Sequence, residues 1–327
     1  MRILDATQTD RLLNDRALID AIAAMFRDGA EVPLRHHHSI ATAGTPATLL
    51  LMPAWTGQAA SQRHLGIKIV TVFPDNGARQ LPAVYGQYLL LSAETGQPLA
   101  LLDGTALTRR RTACASALAS RFLSRPDAFR LLMLGTGALA PHLIRAHAKV
   151  RPISEVAIWG RSPDKAKALV ARFATGGDLA IPRVAVFHAP DIREALPIAD
   201  IVSCATLSNE PLVKGEWMGP GLHLDLVGGF TPAMREADDA AVRRARVFVD
   251  TRQGATAEAG DIVQPLRSGA LQPAGIVADL FDLCRHKDAG RRSAGEITLF
   301  KSVGTALEDL AAAELAYGAM EESDATS

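Results

Sequence analysis

The chain has 327 residues, more than one hydrophobic core usually organises, so we expect two domains. Hydrophobic residues make up 48% and charged residues 21% of the sequence, which is typical of a soluble globular protein. The 35 Lys and Arg residues balance the 35 Asp and Glu residues. This balance excludes a global field that would attract nucleic acid or a lipid surface.

The sequence gives no targeting or membrane signal. No apolar run reaches the roughly 18 residues of a membrane span, and the charged N-terminal segment is unlike a signal peptide. Cys114, Cys204 and Cys284 are too widely separated for a disulfide framework or a metal-ligand pattern. We therefore expect a cytoplasmic protein that binds neither membranes nor nucleic acid.

The first third of the chain predicts an α+β layer. Leu18, Ile22 and Phe26 recur at helical spacing, and Asp10 or Asn14 is a candidate cap for this second of two short helices. Four segments rich in β-formers follow, joined by short connections that favour antiparallel pairing. These segments are residues 47–55, 65–74, 83–92 and 98–103.

A strand–helix alternation begins near residue 130, after an Ala-rich helix over residues 111–124 with Thr105 or Thr108 as its candidate cap. The alternation predicts an α/β fold with a doubly wound, mostly parallel sheet. Residues 296–320 look helical and are expected to pack on the first domain. The predicted domains are therefore 1–119 plus 296–327, and 120–295.

A glycine-rich loop over Gly135–Ala140 follows the first strand of this alternation and precedes a helix. It has the form G-x-G-x-x-A, in which Gly135 allows a tight turn and Gly137 lets a pyrophosphate approach the backbone. The small Ala140 allows close packing of helix on strand, and free N–H groups at the helix start can face phosphates. The loop predicts a dinucleotide site, although a turn without a ligand is the alternative.

The end of the next strand bears on which dinucleotide is bound. An NAD site commonly has an acidic residue there, but this chain has Arg161 and Ser162. Arg161 can pair with a ribose 2′-phosphate and Ser162 can donate a hydrogen bond to it. We predict NADPH, with NADH also usable; the alternative is that Arg161 is a solvated loop charge.

Three cations in the first domain are candidates for binding a carboxylate. Lys68 lies within an apolar strand, where its side chain points either to a site or simply to solvent. Arg111 is predicted to open the Ala-rich helix, where a cation opposes the helix dipole and a bound anion would explain its presence; the alternative is a basic surface cluster with Arg109 and Arg110. His36, His37 and His38 are adjacent and point to alternating faces of an extended segment, so we expect no metal.

These motifs resemble the ornithine cyclodeaminase/μ-crystallin family over nearly the whole chain. The matching stretches are residues 51–53, 66–68, 102–104, 111–113, 135–140, 227–229 and 296–304. The resemblance implies a Rossmann domain inserted into a substrate-binding and dimerisation domain built from both chain ends, and hence a homodimer. It also implies that Arg35, Lys68 and Arg111 hold the substrate carboxylate.

The resemblance completes the predicted cofactor site. To the loop and to Arg161 and Ser162 it adds five positions further along the chain. The full set is Gly135, Thr136, Gly137, Ala138, Leu139, Ala140, Arg161, Ser162, Thr206, Val227, Gly228, Lys301 and Ser302.

Two departures from the cyclodeaminase pattern indicate the branch of the family. Cyclodeaminases carry a Glu where this chain has Leu50 and an Asp where it has Phe230. Losing both carboxylates removes the partner of ornithine's distal ammonium and leaves an apolar wall that suits the ring of a cyclic imine. The stretch from Gly229 to Glu236 resembles the ketimine reductases that act on Δ1-pyrroline-2-carboxylate and Δ1-piperideine-2-carboxylate.

The resulting hypothesis is an oxidoreductase of proline metabolism. It reduces a cyclic imino acid to L-proline or L-pipecolate with NADPH, using Lys68 and Arg111 as catalytic residues and Phe230 against the ring. Four alternatives remain open. They are an NAD-dependent ornithine cyclodeaminase, an alanine dehydrogenase-like enzyme, a non-catalytic NADPH-binding protein, and an oxidoreductase of an unrelated carboxylate.

Overall fold

The computed structural model describes residues 1–58, 60, 63–175, 181–285 and 290–325. The elements of the N-terminal part are β1 (Arg2–Leu4), α1 (Ala6–Leu12), α2 (Asp15–Asp28), β2 (Ala30–Glu31), β3 (His36–Ile40), β4 (Ala47–Thr56), β5 (His64–Val72), β6 (Val84–Ser92), β7 (Pro98–Asp103) and α3 (Gly104–Leu123). Asn14 caps α2, one of the two predicted possibilities, and Asp5 caps α1.

The remaining elements alternate between strand and helix. They are β8 (Arg130–Leu134), α4 (Ala140–Val150), β9 (Glu155–Trp159), α5 (Pro163–Ala174), β10 (Ala185–His188), α6 (Ile192–Ala195), β11 (Ile201–Cys204), β12 (His223–Leu226), α7 (Asp239–Arg244), β13 (Arg246–Val249), α8 (Arg252–Glu258), α9 (Gly260–Ser268), β14 (Ile276–Asp279), α10 (Leu280–Cys284), β15 (Thr298–Lys301) and α11 (Ala306–Ala325). None of the described helices is long and apolar enough to cross a membrane.

The chain divides into two compact units. The first unit comprises Met1–Thr112 with Thr305–Ser327, and the second comprises Ala113–Gly304. These boundaries differ from the predicted 119/120 and 295/296. The first falls within α3, and the second follows β15.

In the first unit, β4, β5, β6 and β7 form the predicted antiparallel sheet. Helices α2 and α11 pack against each other, and α11 also lies on β4 and β5. The buried residues of α2 include Leu18, Ile22 and Phe26, as their spacing predicts. The sheet therefore has one face covered by helices, and Lys68 projects from that face.

In the second unit, the described strands form a parallel sheet in the order β10-β9-β8-β11-β12-β15-β13-β14. The predicted doubly wound α/β fold is confirmed. The order reverses at β8, and such a reversal opens a crevice at the carboxyl ends of the strands. The prediction that residues 296–320 are wholly helical was wrong at the start, because residues 298–301 form β15 between β12 and β13.

Candidate active site

A cavity of about 590 Å³ lies at the carboxyl ends of β8, β9 and β11, at the crevice of the second unit. We call it the glycine-loop cavity. Its lining includes six predicted cofactor residues: Gly135, Thr136, Gly137, Arg161, Ser162 and Thr206. It also includes residues that the sequence did not single out, namely Trp159, Gly160, Lys165, Ala205, Leu207, Ser208 and Leu212.

The two glycines of the loop have the properties that a bound pyrophosphate requires. Gly135 has φ +120°, and a Cβ there would lie 2.5 Å from the carbonyl oxygen of Ala205. A Cβ at Gly137 would meet nothing within 4 Å, so a side chain there would occupy cavity space. Helix α4 begins at Ala140 directly after the loop. The backbone of the loop is therefore suited to a dinucleotide phosphate, as at the glycine loops of other folds of this class.

The β9 side of the cavity is cationic. Arg161 is exposed, and Lys165 in the first turn of α5 lines the same cavity. Ser162 caps α5 by accepting a hydrogen bond from the Lys165 N–H at 3.4 Å. The described lining contains no carboxylate at this end, so the charged side chains that line it there are cations.

The other predicted cofactor residues lie away from the cavity surface. Val227 and Ser302 are buried, and Lys301 is fully buried with its ammonium 3.2 Å from the Asp261 carboxylate. Gly228 donates its N–H to the Glu236 carboxylate at 2.7 Å. Those not among the described lining residues are Ala138, Leu139, Ala140, Val227, Gly228, Lys301 and Ser302.

Lys68 lies on the covered face of the sheet in the first unit, so the alternative that it points to solvent is wrong. Its side chain is 3% exposed, and its Nζ lies 2.6 Å from the Asp309 carboxylate. The pKa of Lys68 is lowered to about 8. Burial is the main cause, Arg111 and Arg35 also lower the pKa, and Asp309 raises it. The ammonium is therefore held in place yet can lose its proton near neutral pH.

Arg111 was expected at the start of a helix, and this interpretation was wrong. Helix α3 begins at Gly104, because the Asp103 carboxylate accepts the Ala106 N–H at 2.7 Å and so caps the first turn, in place of Thr105 or Thr108. Arg111 thus lies within α3, and no helix dipole argument applies to it. What holds it is α11.

Two carboxylates at the start of α11 hold Arg111 in place. Its Nη1 donates to Glu308 at 2.5 Å, and its Nε donates to Asp309 at 2.9 Å. Burial lowers the pKa of Arg111, but Asp309 and Glu308 outweigh this effect and raise it above the usual value. Asp309 thus bridges Lys68 and Arg111. We call Arg35, Lys68 and Arg111, together with the carboxylates of Glu308 and Asp309, the cation cluster.

Glu308 and Asp309 could not be selected from the sequence. Acidic residues in the first turn of a helix are favoured by the helix dipole, which is a sufficient local explanation. Their partner Arg111 precedes them by 197 and 198 residues along the chain. Only the packing of α11 on the sheet brings these charges together.

Leu50 and Phe230 occupy the two positions at which the resemblance implies carboxylates in cyclodeaminases. Leu50 pairs with Val70 in the sheet, one alternation away from the Met52–Lys68 pair, so it shares the face of Lys68. Phe230 follows β12 in the second unit and is 49% exposed. Each residue therefore presents an apolar side chain within its own unit.

The fold and these two sites define a class: a protein with a Rossmann-type dinucleotide-binding unit and a separate unit carrying a buried cation cluster. The model of the ornithine cyclodeaminase/mu-crystallin family matches residues 2–324. The chain belongs to this family, as its motifs predicted.

Proteins similar to this chain include Δ(1)-pyrroline-2-carboxylate reductases, which confirms the predicted branch of the family. A Δ(1)-pyrroline-2-carboxylate reductase of Colwellia psychrerythraea is 38% identical, over 96% of this chain and 97% of its own. The structure of the Thermococcus litoralis Δ(1)-pyrroline-2-carboxylate reductase with NADH and L-proline has a TM-score of 0.90 and is 32% identical, covering 99% of this chain and 98% of that one. An archaeal alanine dehydrogenase dimer with bound NAD has a TM-score of 0.88 at 27% identity, with 99% and 97% of the chains covered.

Proposed function

We propose that this chain, an NAD(P)H-dependent oxidoreductase acting on C=N bonds, reduces Δ1-pyrroline-2-carboxylate, Δ1-piperideine-2-carboxylate or both, giving L-proline or L-pipecolate. NADPH is the proposed reductant and supplies the hydride that reaches the C=N carbon. The observation that carries the proposal is the buried pairing of Lys68 and Arg111 on Asp309, which holds two cations close together in fixed positions. Such a pair is suited to a small carboxylate.

The cation cluster is suited to a carboxylate of small size. Three cations, Arg35, Lys68 and Arg111, act within reach of one another, whereas Glu308 and Asp309 supply two compensating negative charges. Glu308 and Asp309 hold Arg111 in a fixed position, and Asp309 also holds Lys68. These two cations would orient a bound carboxylate, and with it the imine carbon, without further ordering of side chains.

Apolar side chains support a ring rather than an amino group at the other end of the substrate. Leu50 lies on the sheet face of Lys68, and Phe230, which belongs to the second unit, has an aromatic side chain that is 49% exposed. A distal ammonium would be desolvated against such side chains without an acceptor, which is costly. The methylenes of a cyclic imine meet no such penalty.

Lys68 is the candidate for controlling the proton on the imine nitrogen. Its pKa of about 8 lets it carry a proton at neutral pH and release it readily, while Asp309 keeps the ammonium in position. A bound water acting as the donor is the alternative. An imine that is protonated is the stronger electrophile, so this proton assists reduction.

The preference for NADPH over NADH is supported by the β9 side of the glycine-loop cavity. Arg161 and Lys165 are exposed cations there, and Ser162 stands between them. The Thermococcus litoralis relative was solved with NADH, so relatives of this fold accept the cofactor without the 2′-phosphate. For this chain we propose NADPH as preferred and NADH as usable.

A homodimer is proposed from the uncovered face of the sheet in the first unit. Side chains alternate across a strand, so Trp55, Ile67 and Leu89 point away from the face that carries Lys68. These residues are half-buried, and Ile69 beside them is 38% exposed. An apolar sheet face of this kind is suited to a second copy of the chain.

We further propose a cytoplasmic role in proline metabolism.

A substrate panel tests the proposal. Purified protein is mixed with NADPH or NADH and, in turn, with the five-membered and six-membered cyclic imino acids, with ornithine, and with pyruvate plus ammonia. We expect oxidation of the reduced nicotinamide with a cyclic imino acid, faster with NADPH. Release of ammonia from ornithine, or dependence on added ammonia, would instead identify a cyclodeaminase or an amino acid dehydrogenase. Tight NADPH binding with no turnover would identify a binding protein.

A further inference from the structure

A buried carboxylate, Glu236, connects the two strand ends that follow β11 and β12. Its Oε1 accepts the Thr206 N–H at 2.8 Å and the Thr206 hydroxyl at 2.7 Å, and its Oε2 accepts the Gly228 N–H at 2.7 Å. The Glu236 side chain has no exposed surface. One side chain thus ties together the backbones of two loops.

These loops are too close for any larger residue at Gly228. A Cβ there would lie 2.0 Å from the Thr206 carbonyl oxygen and 2.5 Å from the Glu236 carboxylate. The close approach means that the position of one loop determines the position of the other. Glu236 is the polar group between them.

A buried ion pair between Asp261 and Lys301 supports the backbone of Glu236. The Asp261 carboxylate accepts the Glu236 N–H at 2.8 Å and the Ala237 N–H at 3.0 Å. Its other oxygen lies 3.2 Å from the Lys301 ammonium, and both side chains have no exposed surface. The backbone of Glu236 is therefore fixed, so its carboxylate is aimed at the loops by rigid neighbours.

The position of these loops in the sheet indicates which part of a dinucleotide they face. The glycine loop follows β8, and Arg161 follows β9 on one side of it. Strands β11 and β12 lie on the other side of β8, and Thr206 lines the glycine-loop cavity there. If the phosphates bind at the glycine loop and the 2′-phosphate at Arg161, the nicotinamide half extends toward Thr206 and Gly228.

We propose that Glu236 is a positioning residue for the nicotinamide half of the cofactor, acting through Thr206 and Gly228 without touching the cofactor itself. The inference rests on the proposed binding of a nicotinamide dinucleotide. It assigns a role to a residue whose type and spacing signal no chemistry. It also gives Lys301 a supporting role through Asp261.

The protonation state of Glu236 matters because all three of its partners are donors. The N–H groups of Thr206 and Gly228 can only donate, so a proton on the carboxylate opposes one of them unless the Thr206 hydroxyl turns to accept it. Burial raises the pKa of Glu236 to about 7, while Lys301 lowers it and Asp261 raises it. The buried thiol of Cys204 also interacts with Glu236, and burial raises the pKa of this thiol well above the usual value.

Glu236→Gln reproduces the uncharged side chain without changing its shape. A glutamine has one acceptor oxygen and one amide that only donates, so it can satisfy Thr206 or Gly228 but not both. Losing one such bond corresponds to about a tenfold weaker affinity. Glu216→Gln, at an exposed position of the same unit, is the matched control for the loss of one negative charge.

The test measures dissociation constants for two ligands over a pH series, using protein fluorescence with Trp159 at the cavity as the reporter. The ligands are NADPH and adenosine 2′,5′-bisphosphate, which lacks the nicotinamide half. We expect wild-type affinity for NADPH, relative to the bisphosphate, to fall about tenfold as pH drops through about 7. At high pH, Glu236→Gln should bind NADPH about tenfold more weakly than the wild type and bind the bisphosphate normally. In this variant the ratio of the two affinities should not change with pH.

Equal NADPH affinity and an unchanged pH dependence in Glu236→Gln would overturn the inference and leave the proposed function intact. Weakening of both ligands alike would also overturn it, since that result indicates a general loss of structure. If the variant fails to fold, the wild-type pH series alone decides, because a constant ratio of the two affinities contradicts the role of Glu236. Failure of the wild type to bind NADPH or NADH would overturn the proposed function together with this inference.

Discussion

The cation cluster of the first unit and the glycine-loop cavity of the second are both suited to anions, but they are built from different materials. In the cation cluster, Lys68 and Arg111 are buried and already paired with carboxylates of α11. In the cavity, the proposed anion-binding groups are backbone N–H groups of a loop, accompanied by the exposed Arg161. The first arrangement depends on long-range packing, and the second on a short stretch of sequence.

This difference determines how sensitive each site is to change. Removing one member of a buried ion cluster leaves another charge uncompensated, so the loss is large and affects its neighbours. Removing an exposed cation costs little beyond its own contact, because water and salt screen the rest. We therefore expect large effects in the first unit and smaller, ligand-specific effects in the second.

Arg111→Ala should have the largest effect. It removes a cation proposed to hold the substrate carboxylate, and we expect kcat/KM for the imino acid to fall by about 100-fold or more. Leaving Glu308 and Asp309 short of a partner should also lower the free energy of unfolding by about 3 kcal/mol. Steady-state kinetics and denaturant unfolding measure the two effects.

Binding of NADPH separates a local effect of Arg111→Ala from unfolding. The variant should keep its NADPH affinity, since the cofactor residues belong to the second unit. Arg109→Ala, at an exposed position of the same helix, is the control and should behave like the wild type. Lost NADPH binding with normal substrate affinity would contradict the assigned role.

Asp309→Asn should change the pH profile. Lys68 has a lowered pKa of about 8, so in the wild type kcat/KM should decline as pH rises through about 8 and the ammonium loses its proton. Asp309 raises the pKa of Lys68, so the asparagine variant should show this decline at lower pH. Lys68→Arg, which keeps its charge, should lose the decline. Identical profiles in all three proteins would exclude Lys68 as the titrating group.

Arg161→Ala should alter cofactor choice more than turnover. We expect KM for NADPH to rise about tenfold and KM for NADH to change little, because only NADPH has the 2′-phosphate. Arg172→Ala removes an exposed arginine of α5 and serves as the control. An equal effect on both cofactors would remove the argument for NADPH preference.

Phe230→Ala should have the smallest effect of the series. The ring is 49% exposed, so only part of its surface can be buried by substrate, and KM for the imino acid should rise about fivefold. NADPH affinity should stay within about twofold of the wild type. A fall in kcat with unchanged KM would point to a role in the chemical step in place of ring packing.

The sequence predicted the glycine loop of the second unit better than the cation cluster of the first, for a physical reason. The loop from Gly135 to Ala140 is local, because strand, turn and helix follow one another and each glycine has its own conformational cause. Period-two and period-3.6 patterns likewise fixed most strands and helices. The mistaken element, β15, is a short apolar run that local pattern alone does not distinguish from a helix.

The cation cluster could be predicted only in part. Resemblance selected Arg35, Lys68 and Arg111, but the buried partners of Lys68 and Arg111 come from the other end of the chain. The same holds for Glu236, whose importance lies in the two loops that it joins. A single carboxylate in sequence carries no mark of such long-range contacts.

The most direct test of the central proposal follows the transferred hydrogen. Wild-type protein is incubated with Δ1-pyrroline-2-carboxylate and NADPH carrying deuterium at both C4 positions of the nicotinamide, and the products are analysed by mass spectrometry and chiral chromatography. We predict L-proline with one deuterium on its α-carbon and one NADPH oxidised per proline formed. Absence of labelled proline, together with ammonia released from ornithine, would contradict the account.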